Sequence, residues 1–314
     1  MWMYVARRIA AVIPVLMIVA LIVFLMLRLT PGDPAAVIGG DSATDADIAQ
    51  IRENLGLDQP IVSQFFIWVG RMFTGDFGDS FFYKRPVSQL IADRIEPTLA
   101  LAISTITLAT LLAVPMGTLA AYRQGGWVDR VVMAFSVLSF SVPVFVTGYC
   151  LIWLLSVKLG WFPVQGYQSI GDGIGGFIHR LILPTVSLAT IYVALIARMT
   201  RTSVLEVLNE DYVRTARAKG LPELKVVLGH ALRNAAVPIV TVIGVGIALL
   251  IGGVVVTETV FNIPGLGRLT VDAVLARDYP TVQAVIMLFS VAYVLINLGI
   301  DLLYTVLDPR IRYR

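Results

Sequence analysis

Residues 97–121 read PTLALAISTITLATLLAVPMGTLAA, a run without a single charged side chain. About 20 apolar helical residues cross the roughly 30 Å hydrocarbon layer of a bilayer. Five other stretches have the same character, at about 9–29, 131–157, 181–203, 235–257 and 282–306. Gly, Pro, Asp or Arg clusters separate them. Continuous apolar runs are helical spans; a membrane barrel would show short segments of alternating polarity. Pro14, Pro115 and Pro143 fall inside runs, where neighbouring helices re-satisfy freed backbone groups. The expectation is an all-α integral membrane protein with six transmembrane helices.

Composition agrees. Hydrophobic residues make up 57% of 314 and charged residues only 14%. Counted with glycine in place of tyrosine the apolar share is about 62%, against roughly 45–50% in soluble domains. The net charge of +3 is mild and does not suggest nucleic-acid binding. The single cysteine, Cys150, excludes an internal disulfide and a cysteine zinc site. His179 and His230 lie far apart and read as interface or loop residues, so no metal site is expected. Arg7 and Arg8 before the run Ile9–Leu27 resemble a secretory leader. The run is too long for one and no small-x-small site follows, so it reads as a retained first span.

Basic residues set the orientation. Six spans place both ends on one side with Arg7, Arg8, Arg123, Arg130, Arg310, Arg312 and Arg314. The 198–233 segment on that side adds Arg198, Arg201, Arg214, Arg217, Lys219, Lys225 and Arg233. The shorter loops opposite hold Lys158, Arg180, Arg268 and Arg277. The positive-inside rule puts both termini in the cytoplasm.

The first outer loop, about 30–96, is long and structured. Thr44 is placed to cap a helix with Ile48, Ile51 and Leu55 on one face, Asp47 at the capping-box position and Gly56 as its stop. Ile61–Phe73, with Phe65, Phe66 and Trp68, lies on the outer interface or packs on the span tops.

The spans carry little chemistry. Arg28 and Lys158 sit at outer ends and snorkel. Asp301 alone lies well within a span, where a carboxylate costs about 2.5–3.5 kcal/mol. One such group is a thin proton pathway, so ion-coupled transport is the weaker class. No G-x-x-x-x-G-K-[ST] phosphate loop, H-E-x-x-H or G-x-S-x-G is present, which disfavours a nucleotide hydrolase or a membrane-embedded enzyme. Energy for active transport has to come from another chain.

The informative loop is cytoplasmic. Asn209-Glu210-Asp211 supplies a cap and negative charge at a helix start. Tyr212–Lys219 reads as a short helix with Arg217 and Lys219 in its last turn. Gly220 takes the left-handed closing position, and Pro222 stops the helix and opens a second one toward Asn234. A short helix held between two spans by a fixed corner suits a push from a partner; an ordinary solvated basic loop has the same composition.

Asp211-Tyr212-Val213-Arg214-Thr215-Ala216-Arg217-Ala218-Lys219-Gly220, with Arg233-Asn234-Ala235 and Pro238, resembles the EAA loop of binding-protein-dependent ABC importer permeases. It is most similar to the dipeptide, oligopeptide and nickel branch. Pro31-Gly32-Asp33-Pro34, Leu55-Gly56-Leu57-Asp58-Gln59-Pro60, Gly75-Asp76-Phe77-Gly78, Glu258-Thr259-Val260-Phe261, Pro264-Gly265-Leu266-Gly267-Arg268, Arg277-Asp278-Tyr279-Pro280 and Asp308-Pro309-Arg310 carry the resemblance along nearly the whole chain. Arg214 and Thr215 stand where the generic pattern has Glu and Ala, as in peptide-type permeases. The resemblance implies a type I importer permease fold in one domain, 1–314, with a core bundle at about 97–306 and a coupling loop at about 204–233. Glu210, Asp211, Tyr212, Arg214, Thr215, Ala216, Arg217, Ala218, Lys219 and Gly220 would form the ATPase-coupling site. It further implies a second homologous permease subunit, two ATP-binding subunits holding ATP and Mg, and an extracytoplasmic solute-binding protein. The chain itself would hold no cofactor and catalyse nothing.

Candidate path residues come from spacing. Tyr293, Asn297, Asp301 and Tyr304 share a helical face, which suits the translocation path or a polar contact with another span. Glu258, at the outer end of its span, suits a gate or a binding-protein contact. Gly244, Ala248 and Gly252 permit close helix approach. Pro264–Gly267 reads as a tight turn, either re-entering the bundle or lying on the surface. Di- or oligopeptide import by alternating access is the expected function, with nickel, glutathione or another small solute as alternatives.

Overall fold

A computed structural model describes residues 2–29, 35, 44–54 and 58–307. Every regular element among them is helical, apart from one isolated antiparallel bridge, Asp79–Pro86. The helices are α1 (Trp2–Leu29), α2 (Asp45–Asn54), α3 (Ile61–Phe73), α4 (Val87–Tyr122), α5 (Trp127–Ser141) and α6 (Val144–Lys158, π-helical over Ile152–Lys158). They continue as α7 (Ile174–Leu208), α8 (Asp211–Ala218), α9 (α-helical over Glu223–Lys225 and continuing as a π-helix over Val226–Leu232), α10 (Ala236–Val260), α11 (Leu266–Leu275) and α12 (Tyr279–Leu307). Pro31–Pro34, Leu55–Leu57 with the Gly56 stop, and Asp308–Arg314 lie outside the described residues.

Among the described residues four helices are long and apolar enough to cross a membrane, α4, α7, α10 and α12, or five if the bent α5–α6 pair is one span. A shorter apolar stretch, Ala10–Met26, lies in α1. The span expected at 131–157 is bent: α5 and α6 meet at 103°. Val142 is extended (φ −99°, ψ 121°) and Pro143 opens α6. The proline ring disfavours helical backbone at the residue before it. Pro97 and Pro115, by contrast, are carried inside α4.

The chain divides into two compact units, 1–94 with 269–294, and 95–268 with 295–314. In the first, α1 and α3 pack through Phe24, whose ring stands edge-on to Phe65 at 5.3 Å and tilted to Trp68 at 5.8 Å. Such aromatic pairs favour edge-on geometry because ring edges are positive and faces negative. α3 also leaves Ile61, Val62, Phe66 and Phe73 exposed. The loop after α3 is pinned by buried Asp278. Its carboxylate accepts from Ser80 Oγ (2.5 Å), Phe81 N (3.1 Å) and Thr281 Oγ1 (2.7 Å). A fully buried carboxylate needs such donors.

In the second unit α7 is the central column, with Leu183, Leu188, Val193, Ile196 and Ala197 buried. Gly117 of α4 packs directly on it. A Cβ there would lie 2.5 Å from the Ala197 carbonyl and 2.7 Å from Thr200 Cβ. On α10 the expected small-residue stripe holds only in part. Gly244 meets Ile300 and Ala248 is buried, but a Cβ at Gly252 would meet nothing; Gly253 and Gly246 instead face Tyr192. Gly246 and Gly253, seven residues apart, share a different face of α10 from Gly244.

Candidate functional site

α8 forms because an i, i+3 apolar pair, Val213 and Ala216, turns inward while its other side chains stay polar. Both are buried. They join Val204 and Leu208 from α7, Val226, Val227 and Ala231 from α9, Ala121 of α4, and Ala235 and Ile239 in one apolar cluster. The short helix is therefore seated on the ends of three long ones.

The helix closes at Gly220, with φ +75°. Gly220 N donates to the Arg217 carbonyl (2.9 Å) and Leu221 N to the Ala216 carbonyl (3.4 Å). This is the paired closing motif that favours glycine, and Leu221 packs back on the cluster as the motif's hydrophobic contact. Across the corner the Arg217 guanidinium grips the Glu223 carboxylate, Nη2 to Oε1 at 2.8 Å. That hydrogen bond raises the Arg217 pKa, so the guanidinium stays charged.

Several expectations change in detail. No side chain caps the start of α8, where Glu210 is extended, and Asn209 Nδ2 donates back to the Leu205 carbonyl instead. Arg198 and Arg201 belong to α7, which runs to Leu208. The segment after Pro222 is mostly π-helical, not a regular α-helix. Ala216 faces the core, whereas Glu210, Asp211, Tyr212, Arg214, Thr215, Arg217, Ala218, Lys219 and Gly220 are exposed. Arg214 pairs with Asp211 at 3.2 Å, and Thr215 Oγ1 donates to the Asp211 carbonyl at 3.0 Å. Val213, Leu221 and Glu223 belong to the hairpin's framework and were not singled out from sequence. The i, i+3 spacing of Val213 and Ala216 carried that signal.

Glu258, for which a gate or a binding-protein contact was expected, is fully buried. Its carboxylate accepts from Thr98 Oγ1 (2.6 Å) and Arg268 N (2.9 Å). Thr98 Oγ1 accepts in turn from Leu266 N at 2.8 Å. Glu258 thus staples the 262–268 turn to α4, and the turn is part of the packed unit rather than a free surface turn. A Cβ on Gly265 would overlap this carboxylate. Glu96, two residues from Thr98, was also not foreseen. It accepts from Tyr167 Oη (3.0 Å), Ser169 Oγ (2.9 Å) and Ile170 N (2.9 Å), holding the 160–172 loop. Burial raises the Tyr167 pKa, and the Glu96 charge raises it further. On α12, Tyr293 is half-exposed, while Asn297 and Asp301 are partly buried on the same helix.

The Binding-protein-dependent transport system inner membrane component model matches residues 113–313, and its N-terminal companion matches 1–102. A probable peptide ABC transporter permease of Sinorhizobium fredii is 53% identical over the whole of both chains. A putative peptide transport system permease of Brucella abortus is 46% identical over 98% of each. The glutathione transport system permease GsiC of Salmonella choleraesuis is 46% identical over 99% of each. In fold the chain is similar to a chain of the inward-facing MetNI methionine ABC transporter. That likeness has a TM-score of 0.59 at 19% identity and covers 70% of this chain and 97% of that one. With a helical membrane architecture, a glycine-closed hairpin seated on its spans and family matches along nearly its full length, the chain belongs to the binding-protein-dependent transport system inner membrane component family, the permease subunits of ABC importers.

Proposed function

We propose that this chain is a pore-forming subunit that imports di- or oligopeptides across the bacterial cytoplasmic membrane by alternating access. It spans six times, with α1 and the bent α5–α6 pair counted as spans and both termini in the cytoplasm. It works beside a second homologous permease, with two ATP-binding subunits that hold ATP and Mg, and with an extracytoplasmic solute-binding protein. The observation that carries this reading is the full-length 53% identity to a chain named as a peptide permease. The exposed polar face of α8 supports a docking role, because its apolar anchors are committed to the permease core.

Glutathione is the second reading, favoured by the 46% identity to GsiC. It is itself a tripeptide, so the machinery is unchanged and the binding protein selects the solute. Nickel or another small solute would use the same device. Glu258, Tyr293, Asn297 and Asp301 are the candidate path or gate residues. An ion-coupled carrier, the reading from a different class, would rest on Asp301 of α12.

Reconstitution tests this. The permease pair, ATPases and binding protein are placed in proteoliposomes with labelled di-, tri- and oligopeptides. Uptake is expected only with ATP and all subunits. Uptake by this chain alone on a proton gradient would overturn the reading.

A further inference from the structure

In the second unit the Arg201 guanidinium of α7 forks onto Asp129 in the first turn of α5. Nε meets Oδ1, and Nη2 meets Oδ2 at 2.8 Å. Asp129 Oδ2 also accepts from Gly125 N at 2.9 Å, in the turn that leads out of α4. The pair is enclosed, its side chains 20% and 7% exposed. One turn earlier on α7, Arg198 places its guanidinium 5.3 Å from the ring centroid of Phe140, in the last turn of α5. Two arginines on one face of α7 therefore touch both ends of a 15-residue helix.

The position of Arg201 matters. It lies seven residues before Leu208, or about 10 Å along the helix at 1.5 Å per residue. Leu208 and Val204 are in the cluster that seats α8. Displacement of α8 is thus delivered to the end of α7 that carries Arg201. Apolar contacts between α5 and α7 are non-directional and tolerate sliding. A bidentate fork sets register and rotation, and separating it leaves an uncompensated buried charge. At its other end α5 turns through 103° into α6.

We propose that Asp129 and Arg201 are a positioning pair. They make α5 ride with the coupling end of α7, so that movement imposed on α8 reaches the bent α5–α6 segment. The inference rests on the reading of α8 as the ATPase-docking helix.

The test uses the full complex carrying Cys150→Ser, with spin labels on α5 at Trp127→Cys and on the coupling end of α7 at Glu206→Cys. With the pair intact, the label distance is expected to stay constant between nucleotide-free and ATP-bound states. In Arg201→Lys, which keeps the charge but loses the fork, and in Asp129→Asn, the distance is expected to vary with nucleotide. Solute moved per ATP hydrolysed is expected to fall at least five-fold, while hydrolysis persists. The swap Asp129→Arg with Arg201→Asp recovers part of that ratio. A distance that changes with nucleotide in the intact pair overturns the proposal, and so does an unchanged ratio in the assembled variants. A merely structural pair lowers uptake and hydrolysis together. Should the variants fail to assemble, the intact-pair distances still decide. Absence of ATP-driven uptake in the unsubstituted complex would fall on the functional reading instead.

Discussion

Gly220 and Glu258 show how single residues hold this chain's corners. At Gly220 a Cβ would meet nothing, so Gly220→Ala acts only through the positive φ. The expected cost is about 1–2 kcal/mol. Hydrogen exchange of residues 211–225 should quicken by roughly five- to thirty-fold, with Gly220→Asn milder. Glu258→Ala removes the acceptor for Thr98 Oγ1 and Arg268 N inside a fully buried site. The orphaned donors cost about 1–3 kcal/mol, and the melting temperature of the purified chain should fall accordingly. The Arg217–Glu223 pair is different. Its side chains are 40% and 37% exposed, so Glu223→Gln should cost under about 1 kcal/mol.

Among the elements, two contacts separate scaffold from ornament. Asp278 holds the 79–86 loop from the start of α12. Asp278→Ala should release it, and amide exchange at residues 80–87 should quicken while α7 is unchanged. Gly117 lets the backbones of α4 and α7 touch. Gly117→Leu forces them apart, with an expected loss of about 1–3 kcal/mol from overpacking, read as a lower melting temperature. Sequence spacing located α3 at its observed bounds and placed α8 within a residue. It missed the α5–α6 break, because apolar content says nothing of direction. Only the backbone at Val142 shows that Pro143 ends one helix and starts another. It did not foresee the enclosure of Glu258, because a charge at the end of an apolar run is ambiguous until its partners are known.

For the whole molecule, the six-span arrangement proposed above, with both termini cytoplasmic, predicts sidedness. A cysteine at Leu224 should be modified by an impermeant thiol reagent only from the cytoplasmic face, and one at Phe82 only from the outer face. Both side chains are exposed, at 72% and 60%. The native Cys150 is replaced by serine in this assay. Labelling of both positions from the same face would contradict the topology.

Lipid compatibility, helical class and the glycine-closed hairpin follow from the order of residues alone, because they depend on local periodicity and on runs of one polarity. The enclosure of Glu258 by Thr98, the fork of Arg201 on Asp129 and the inward turn of Ala216 do not. Each depends on which distant residues meet, at separations of 160 and 72 positions for the first two. Burial and hydrogen bonding of a polar group are properties of that meeting, and only the folded chain brings it about.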